Sequence, residues 1–251
     1  MLAGKQILVA GAAGLLGSTL CQILVQRGAS VIAADLDLDK LQRRLHELDV
    51  SMTAVQLHQT NFNQPDDVAQ LFAHYPMLSG AVNCTYPRRP GYGRHFFDVS
   101  LDSFNDNVQV HLGAAFLFAQ QAAKHFTCHQ QPFSLVNLAS VYGVVAPKFA
   151  IYQDTPMTMP VEYAAIKAAI LQLTRYVSSY INDSRFRVNA ISPGGLLDGQ
   201  PAAFLQKYQA QTCGKGMLDP IDICGAVVFL LSDDSRFMQG QNLIVDDGFC
   251  L

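Results

Sequence analysis

Short apolar runs alternate with longer amphipathic stretches along almost the whole chain. The short runs are apolar at consecutive positions and rich in valine and isoleucine, which is typical of parallel strands covered on both faces. We predict seven such strands, at Ile7–Ala10, Ser30–Ala34, Thr53–Leu57, Gly80–Asn83, Ser134–Leu138, Arg187–Ile191 and Leu243–Val245. The intervening stretches have helical hydrophobic spacing and predict helices over Leu15–Arg27, Asp66–His74, Leu101–Phe126, Val161–Tyr180 and Ile221–Leu231.

This alternation predicts the fold class. Right-handed crossovers between such elements give an α/β fold, a doubly wound, seven-stranded parallel sheet flanked by helices. Half of the 251 residues are hydrophobic, enough to bury one substantial core, so we expect a single domain over 1–251. Two segments, 86–99 and 144–160, break the alternation, and their proline, aromatic and polar residues predict loops. Each follows the carboxyl end of a strand, where open α/β sheets bind ligands.

Charge and cysteine content narrow the function classes. The net charge of -3 gives no reason to expect nucleic-acid binding. The six cysteines are scattered without a CxxC pair, so we predict no disulfide and no metal site, but free thiols in a reducing cytoplasm. The N-terminal apolar run leads into a glycine loop instead of a cleavage site, and no run is long enough to span a bilayer. We therefore expect a cytoplasmic protein without a membrane partner.

Three glycines connect the first predicted strand to the first predicted helix. Gly11, Gly14 and Gly17 form the pattern G-x-x-G-x-x-G. Glycines at such a junction let the backbone turn sharply and let a pyrophosphate approach the amides at the helix N-terminus. The alternative interpretation is that they serve only close packing of helix against strand.

The second predicted strand is followed by an acidic residue, Asp35, 24 positions after Gly11. A carboxylate there accepts hydrogen bonds from the adenosine ribose hydroxyls and repels a 2′-phosphate. No basic residue follows until Lys40, while Asp37 and Asp39 add negative charge. The alternative role for this acidic group is to cap the next helix, which suits Asp37 or Asp39. We predict that NAD(H) is favoured over NADP(H).

A tyrosine and a lysine, Tyr163 and Lys167, stand four residues apart in a predicted helix. Residues at this spacing share a helix face, so the phenol and the ammonium lie side by side. A neighbouring cation lowers the pKa of a phenol, which makes it a usable general acid or base. The spacing alone is common on exposed helices, but the glycine loop in the same chain favours the catalytic interpretation.

Five short motifs follow one another in chain order and carry a resemblance. They are Val82-Asn83-Cys84-Thr85-Tyr86, Val136-Asn137-Leu138-Ala139-Ser140, Tyr163 to Lys167, Arg187-Val188-Asn189-Ala190-Ile191-Ser192-Pro193-Gly194 and Val245-Asp246-Asp247-Gly248. In this order, over essentially the whole chain, they resemble the short-chain dehydrogenase/reductase family of Rossmann-type enzymes. The first motif keeps its asparagine but loses the small residues that usually follow. The stretches 142–148 and 157–163 look like the oxidoreductases encoded with bacterial flagellin-modification and nonulosonic, legionaminic-type sugar genes.

The resemblance implies a role for each site residue. Tyr163 exchanges a proton with the substrate oxygen while hydride passes to or from the nicotinamide, and Lys167 holds the nicotinamide ribose and lowers the Tyr163 pKa. Ser140 hydrogen-bonds the reacting oxygen. The dinucleotide contacts implied are those of Gly11, Gly14, Leu16, Gly17, Asp35, Asn61, Phe62, Asn83, Tyr163, Lys167, Pro193, Gly194 and Leu196. The resemblance also implies a homotetramer or homodimer, which suits long helices that are apolar on more than one face.

Three positions depart from the family pattern. His111 stands where the family commonly has an asparagine that helps hold a water on the lysine, and it either preserves that relay or is a structural interior histidine. Asn107 is the alternative if the alignment shifts by one helical turn. Asn61 replaces an aspartate, and its carbonyl oxygen can still bond the adenine amino group. Asp198 replaces a threonine, which leaves that cofactor contact open.

The two predicted loops supply candidate substrate residues. Ser140 and Tyr163 are 23 positions apart, roughly twice the separation in compact family members, so the extra residues form either a substrate loop, with Lys148 and Tyr152, or a surface insertion. In the other loop, Arg88, Arg89, Arg94 and His95 either bind phosphate or diphosphate or are simply solvated.

These observations predict an enzyme that interconverts a hydroxyl and a ketone on a small molecule. The substrate expected is a phosphorylated or nucleotide-activated sugar used in surface glycan or flagellin modification. The alternatives are another small ketone, a carrier-bound oxoacyl chain, or a non-catalytic dinucleotide sensor, which the intact Ser140, Tyr163 and Lys167 argue against.

Overall fold

In the computed structural model, which describes residues 1–251, seven parallel strands form one sheet. In chain order they are β1 (Gln6–Ala10), β2 (Ser30–Asp35), β3 (Val55–Gln59), β4 (Leu78–Asn83), β5 (Phe133–Leu138), β6 (Phe186–Pro193) and β7 (Asn242–Val245). Across the sheet the order is β3-β2-β1-β4-β5-β6-β7. The chain builds outward from β1 to β3 and then crosses back to β4. The cleft at the carboxyl ends of β1 and β4 is therefore the topological switch point. The predicted fold class is confirmed.

The chain forms seven helices. They are α1 (Leu15–Gln26), α2 (Leu38–Glu47), α3 (Pro65–His74), α4 (Leu101–His129), α5 (Val161–Ile181), α6 (Ala202–Gln209) and α7 (Pro220–Leu231). All but α6, which packs against residues 149–152, lie on the faces of the sheet. The predicted bounds of α1, α3, α4, α5 and α7 are close to these. The bounds of α2 and α6 were not predicted, and each of these helices buries only two side chains.

The prediction for the third strand was wrong by two residues at each end. Residues Met52–Ala54 form a 3₁₀ turn, and β3 begins only at Val55. This strand lies at the edge of the sheet, and only Val55 of its five residues is buried. An edge strand with one buried residue has no apolar run to mark its ends.

The core lies on both faces of the sheet, because successive strand residues point to opposite sides. Ile7 and Val9 of β1 join a core cluster with residues of α1 and α7, whereas Leu8 and Ala10 join a second cluster with residues of α3 and α4. With both faces covered, the open surface of the sheet is its carboxyl edge. No helix has the length and apolar character that a membrane crossing requires, and no three His, Cys, Asp or Glu side chains are grouped as metal ligands. All six cysteines are free.

Candidate active site

The glycine loop turns between β1 and α1 at the switch point. Gly11 has a φ of +76°, a backbone conformation that glycine adopts without strain. A methyl group on Gly17 would lie 2.2 Å from the Gly11 carbonyl oxygen. No side chain caps the N-terminus of α1, and its first turn carries no acidic residue. The turn interpretation therefore applies to Gly11 and the packing interpretation to Gly17. Together the glycines leave the first helix amides, including those near Leu16, open to an anion.

Asp35 lies against this loop at the end of β2. Its carboxylate accepts hydrogen bonds from the Ala13 amide at 2.9 Å and from the Asp37 amide at 3.3 Å. The helix cap is a different residue, because the Asp37 carboxylate accepts the hydrogen bond from the Lys40 amide at 2.9 Å. Asp35 is therefore positioned beside the loop where an adenosine ribose would lie, and capping does not explain it.

Beyond β3, the two predicted dinucleotide contacts Asn61 and Phe62 differ in their surroundings. The Asn61 side-chain oxygen accepts a hydrogen bond from the backbone amide of Asn63 at 3.1 Å. The backbone amide of Asn61 donates to the Asp67 carboxylate at 3.2 Å. The Phe62 side chain is buried in the core, with its ring edge-on to Phe118 at 5.9 Å. Any dinucleotide contact of Phe62 must therefore come from its backbone.

The remaining predicted cofactor residues end β4 and β6. The Asn83 side-chain oxygen accepts hydrogen bonds from the Thr85 amide at 3.1 Å and the Thr85 hydroxyl at 2.7 Å, which fixes the turn after β4. Pro193 ends β6, and the Gly194 amide bonds to Val245 of β7 at 2.9 Å. Further along, Leu196 forms an isolated bridge with Leu218.

Asp198 lies outside these contacts. Its side chain is exposed, and its amide donates to Gln200 at 2.8 Å.

Ser140, Tyr163 and Lys167 converge on the same edge of the sheet. Ser140 is buried two residues after the end of β5, and its hydroxyl accepts a hydrogen bond from the Tyr142 amide at 3.2 Å. Tyr163 and Lys167 lie in the first two turns of α5. Gly143 controls how closely these two segments approach, because a methyl group there would lie 2.7 Å from the Lys167 backbone. No sequence pattern had singled out Gly143.

The protonation states differ from the prediction. Burial raises the pKa of the Tyr163 phenol, and the nearby Ser140 side chain offsets the rise only in part. The Lys167 ammonium donates to the Leu138 carbonyl at 2.8 Å and lies 5.5 Å from the Tyr163 ring centroid. Burial lowers the pKa of Lys167 to about 8. The net shift of the Tyr163 pKa is therefore upward because burial dominates it, and a lowering contribution from Lys167 stays a prediction.

His111 is buried in α4 close to these residues. Neither ring nitrogen has a hydrogen-bond partner, which is rare for a buried polar group. Burial and the nearby Lys167 charge lower the pKa of His111 to about 2, so the ring is neutral, with one donor and one acceptor nitrogen. Asn107 has partners on both sides: it accepts from the Arg89 amide and donates to the Ser103 carbonyl, each at 2.9 Å. Of the two candidates, His111 retains the capacity to hold a water.

The 144–160 loop is packed in place and is not a loose insertion. Ile151 and Tyr152 are buried, and the Tyr152 hydroxyl donates to the Tyr142 hydroxyl at 3.2 Å. The Lys148 ammonium donates to the Phe249 carbonyl at 2.7 Å and lies 4.4 Å from the centroid of the Phe249 ring. Lys148 thus fixes the loop to the C-terminal segment, and Tyr152 fixes it to Tyr142 at its own start.

The 86–99 loop brings one residue that was not predicted into the site. The Tyr86 ring lies 5.6 Å from the Tyr163 ring and 5.1 Å from the His111 ring, centroid to centroid. Arg88 stacks on it, with 5.0 Å from the guanidinium carbon to the ring centroid. The side chains of Arg89, Arg94 and His95 are exposed. The signal that could have found Tyr86 is the loss of small residues after Asn83.

Comparisons with known proteins agree with this geometry. A family model described as enoyl-(acyl carrier protein) reductase matches residues 11–250. The chain is 37% identical over 257 residues to the post-translational flagellin modification protein A of Campylobacter coli, with 100% of both chains covered. It is 26% identical to the 5-keto-D-gluconate 5-reductase of Escherichia coli K12, over 98% of this chain and 96% of the relative.

A solved structure of a short-chain dehydrogenase from Leptospira borgpetersenii with bound NAD⁺ is similar throughout. It superposes with a TM-score of 0.87 at 28% sequence identity, covering 100% of this chain and 94% of that one.

Proposed function

We propose that this chain, which belongs to the short-chain dehydrogenase/reductase family and is an oxidoreductase, interconverts a hydroxyl and a ketone on a phosphorylated or nucleotide-activated sugar. The observation that carries the proposal is the convergence of Ser140, Tyr163 and Lys167 beside the glycine loop. A non-catalytic sensor has no use for a tyrosine hydroxyl placed beside that serine. The sugar assignment is supported by the likeness to a flagellin modification protein.

A nicotinamide dinucleotide suits the glycine loop, where side chains in place of the glycines would collide with the backbone. A methyl group on Gly11 or Gly17 would lie within 3 Å of backbone atoms, so these residues keep the loop tight enough for helix amides to reach a pyrophosphate. The Asp35 carboxylate beside the loop would bind the adenosine ribose hydroxyls, and the Lys167 ammonium those of the nicotinamide ribose. When bound, the dinucleotide accepts or donates the hydride.

The protein residues orient the substrate and handle its proton. A phenol with a raised pKa is protonated at neutral pH, so Tyr163 is in the state that donates a proton to a ketone oxygen. Ser140 would hydrogen-bond the same oxygen and stabilise the charge that develops on it. The unpartnered ring nitrogens of His111 would hold a water near Lys167, through which the proton on Tyr163 is replaced.

The walls of the site suit a hydroxylated ring. The Tyr86 ring lies 5.6 Å from the Tyr163 ring, and Tyr163 packs against the cluster that contains Tyr142 and Tyr208. Phenol rings offer apolar faces for the C–H surface of a sugar and hydroxyls for its oxygens. This composition supports a carbohydrate over a long acyl chain, which needs an apolar channel.

The proposal is tested by NADH consumption or formation across a panel of substrates. The panel contains hexose phosphates, nucleotide-linked sugars, the same sugars without phosphate, and a carrier-bound oxoacyl chain. We expect turnover on a phosphorylated or nucleotide-linked sugar. Turnover on the oxoacyl chain alone would contradict the sugar assignment, and tight NADH binding without any turnover would contradict the enzymatic proposal for these substrate classes.

The cofactor preference gives a separate prediction. We expect the protein to bind NADH at least about 10-fold more tightly than NADPH, because the Asp35 carboxylate faces the position of a 2′-phosphate. Asp35→Ser should reduce or reverse the ratio in fluorescence titrations. The control is Asp234→Asn, which removes an exposed carboxylate next to Asp233, the partner of Lys5 before β1. Equal affinities in the wild type, or a ratio unchanged by Asp35→Ser, would contradict the assignment.

Exposed aromatic side chains support a homo-oligomer. Phe116 of α4 and Tyr176 and Tyr180 of α5 are 48%, 61% and 75% exposed, and the two tyrosines stack on each other. Association of α4 and α5 with a second copy would remove this apolar surface from water. We propose a homodimer or homotetramer.

A further inference from the structure

Tyr86 connects the catalytic residues to solvent. Besides its contacts with Tyr163 and His111, its ring centroid lies 5.8 Å from the Lys167 ammonium. Nevertheless 41% of the residue is exposed. One edge of the ring therefore touches the groups that handle the proton while the rest faces the cleft. A substrate whose reacting oxygen reaches the Tyr163 hydroxyl must lie along the Tyr86 ring.

The position of the Tyr86 ring is fixed by its own loop. Its hydroxyl hydrogen-bonds the Tyr92 hydroxyl, and the two rings meet edge to face at 5.9 Å. Tyr92 stands between Gly91 and Gly93, which have φ of +90° and +86°, values that other residues rarely adopt. The turn is closed by the Tyr92 amide, which donates to the Arg89 carbonyl at 3.2 Å. The ring is therefore held over the site before any ligand binds.

Arg88 differs from the other arginines of the loop. Its guanidinium stacks on the Tyr86 ring, it is exposed, and it forms no ion pair with an acidic side chain. Arg89 and Arg94 stack on no aromatic ring of the site. Burial raises the pKa of Tyr86, and Glu162 lies near enough to raise it further. The Glu162 side chain is fully buried, however, and presents no carboxylate to the cleft. The exposed side of this wall is therefore aromatic and cationic.

We propose that Tyr86 and Arg88 together determine substrate specificity, with the Tyr86 ring against the sugar ring and the Arg88 guanidinium on a phosphate group of the substrate. The inference rests on the proposed function and specifies it, because it selects one arginine of three and adds the aromatic surface that positions it. A guanidinium fixed by stacking loses little freedom when it pairs bidentately with phosphate.

The test uses the NADH-loaded protein, with glucose 6-phosphate and glucose as probes in calorimetric titrations. We expect glucose 6-phosphate to bind more tightly than glucose. Arg88→Ala should weaken the affinity for glucose 6-phosphate by about 10-fold or more, because a charge-assisted hydrogen bond is lost. The affinity for glucose should not change. Arg94→Ala is the matched control: it removes the same charge from the same loop and should change neither affinity.

Two Tyr86 variants separate the ring from its hydroxyl. Tyr86→Phe removes the hydroxyl contact with Tyr92 but keeps the ring and its edge-to-face packing, so it should retain most of the affinity for both probes, whereas Tyr86→Ala should weaken binding of both. NADH affinity and thermal unfolding of each variant show whether the site is still folded. Equal losses in Arg88→Ala and Arg94→Ala, or unchanged binding in Tyr86→Ala with NADH binding intact, would overturn the inference.

Because these titrations measure binding, they distinguish this inference from the proposed function. The protein could bind glucose 6-phosphate selectively through Arg88 and yet turn over no sugar. That result would support the roles of Tyr86 and Arg88 and contradict the proposed reaction.

Discussion

Replacement of Tyr163 by phenylalanine is expected to lower kcat by about 10²- to 10⁴-fold, the usual contribution of a positioned general acid or base. The variant keeps the ring that packs at 5.6 Å from Tyr86 and removes only the hydroxyl that exchanges the proton. The dinucleotide should still bind, because the glycine loop and Asp35 are unchanged. The measurement is steady-state NADH absorbance with the best substrate of the panel, together with NADH affinity from fluorescence.

The chain offers a matched control on the same helix. Tyr176 of α5 is 61% exposed, and Tyr176→Phe removes the same atom away from the site. We expect this control to leave kcat unchanged. If Tyr163→Phe retained wild-type turnover, another group would be the proton donor, and the mechanism built on this phenol would fail.

The second large effect is expected from Gly17→Ala. The added methyl would lie 2.2 Å from the Gly11 carbonyl oxygen and 2.9 Å from the Ala12 Cα. Both neighbours are backbone atoms of the turn, so the loop itself must shift. We expect a loss of stability of about 1–3 kcal/mol, typical of overpacking, and a loss of NADH affinity of about 10-fold or more.

Urea denaturation with and without NADH measures both effects. Ligand at about 100 times its Kd adds about 2.7 kcal/mol to the stability of a protein that binds it only when folded. This increment should be complete in the wild type and smaller in Gly17→Ala at the same NADH concentration. Gly225→Ala is the control, because Gly225 is an exposed residue of α7 and its added methyl would meet nothing within 4 Å. We expect it to bind NADH normally and to be slightly more stable, by about 0.5–1 kcal/mol. Full NADH stabilisation of Gly17→Ala would contradict the placement of the dinucleotide on this loop.

Most of the fold could be predicted because its elements are marked locally. Strands such as β1 and β2 are buried on both faces, so the runs Ile7–Ala10 and Val31–Ala34 are apolar at every position. The elements whose bounds were displaced or not predicted, β3, α2 and α6, each bury only one or two side chains, so few apolar positions mark their ends.

The site divides in the same way. The glycine spacing and the Tyr163–Lys167 pair are short-range patterns, and the structure brings them to the same edge of the sheet. Two features are not local. Gly143 belongs to the site because its backbone packs against that of Lys167. Tyr86 belongs to it because the segment after β4 places its ring against Tyr163 of α5.

The sequence by itself therefore determined the order of strands and helices, the carboxyl edge as the place of chemistry and the residue types that perform it. Only the tertiary structure decided the charge states and the shape of the cleft. A pKa depends on which groups surround a side chain and how far water is excluded, and these neighbours come from distant parts of the chain. For this reason burial of Tyr163 raises its pKa although a lysine follows one turn later, and His111 keeps two unpartnered nitrogens inside the protein.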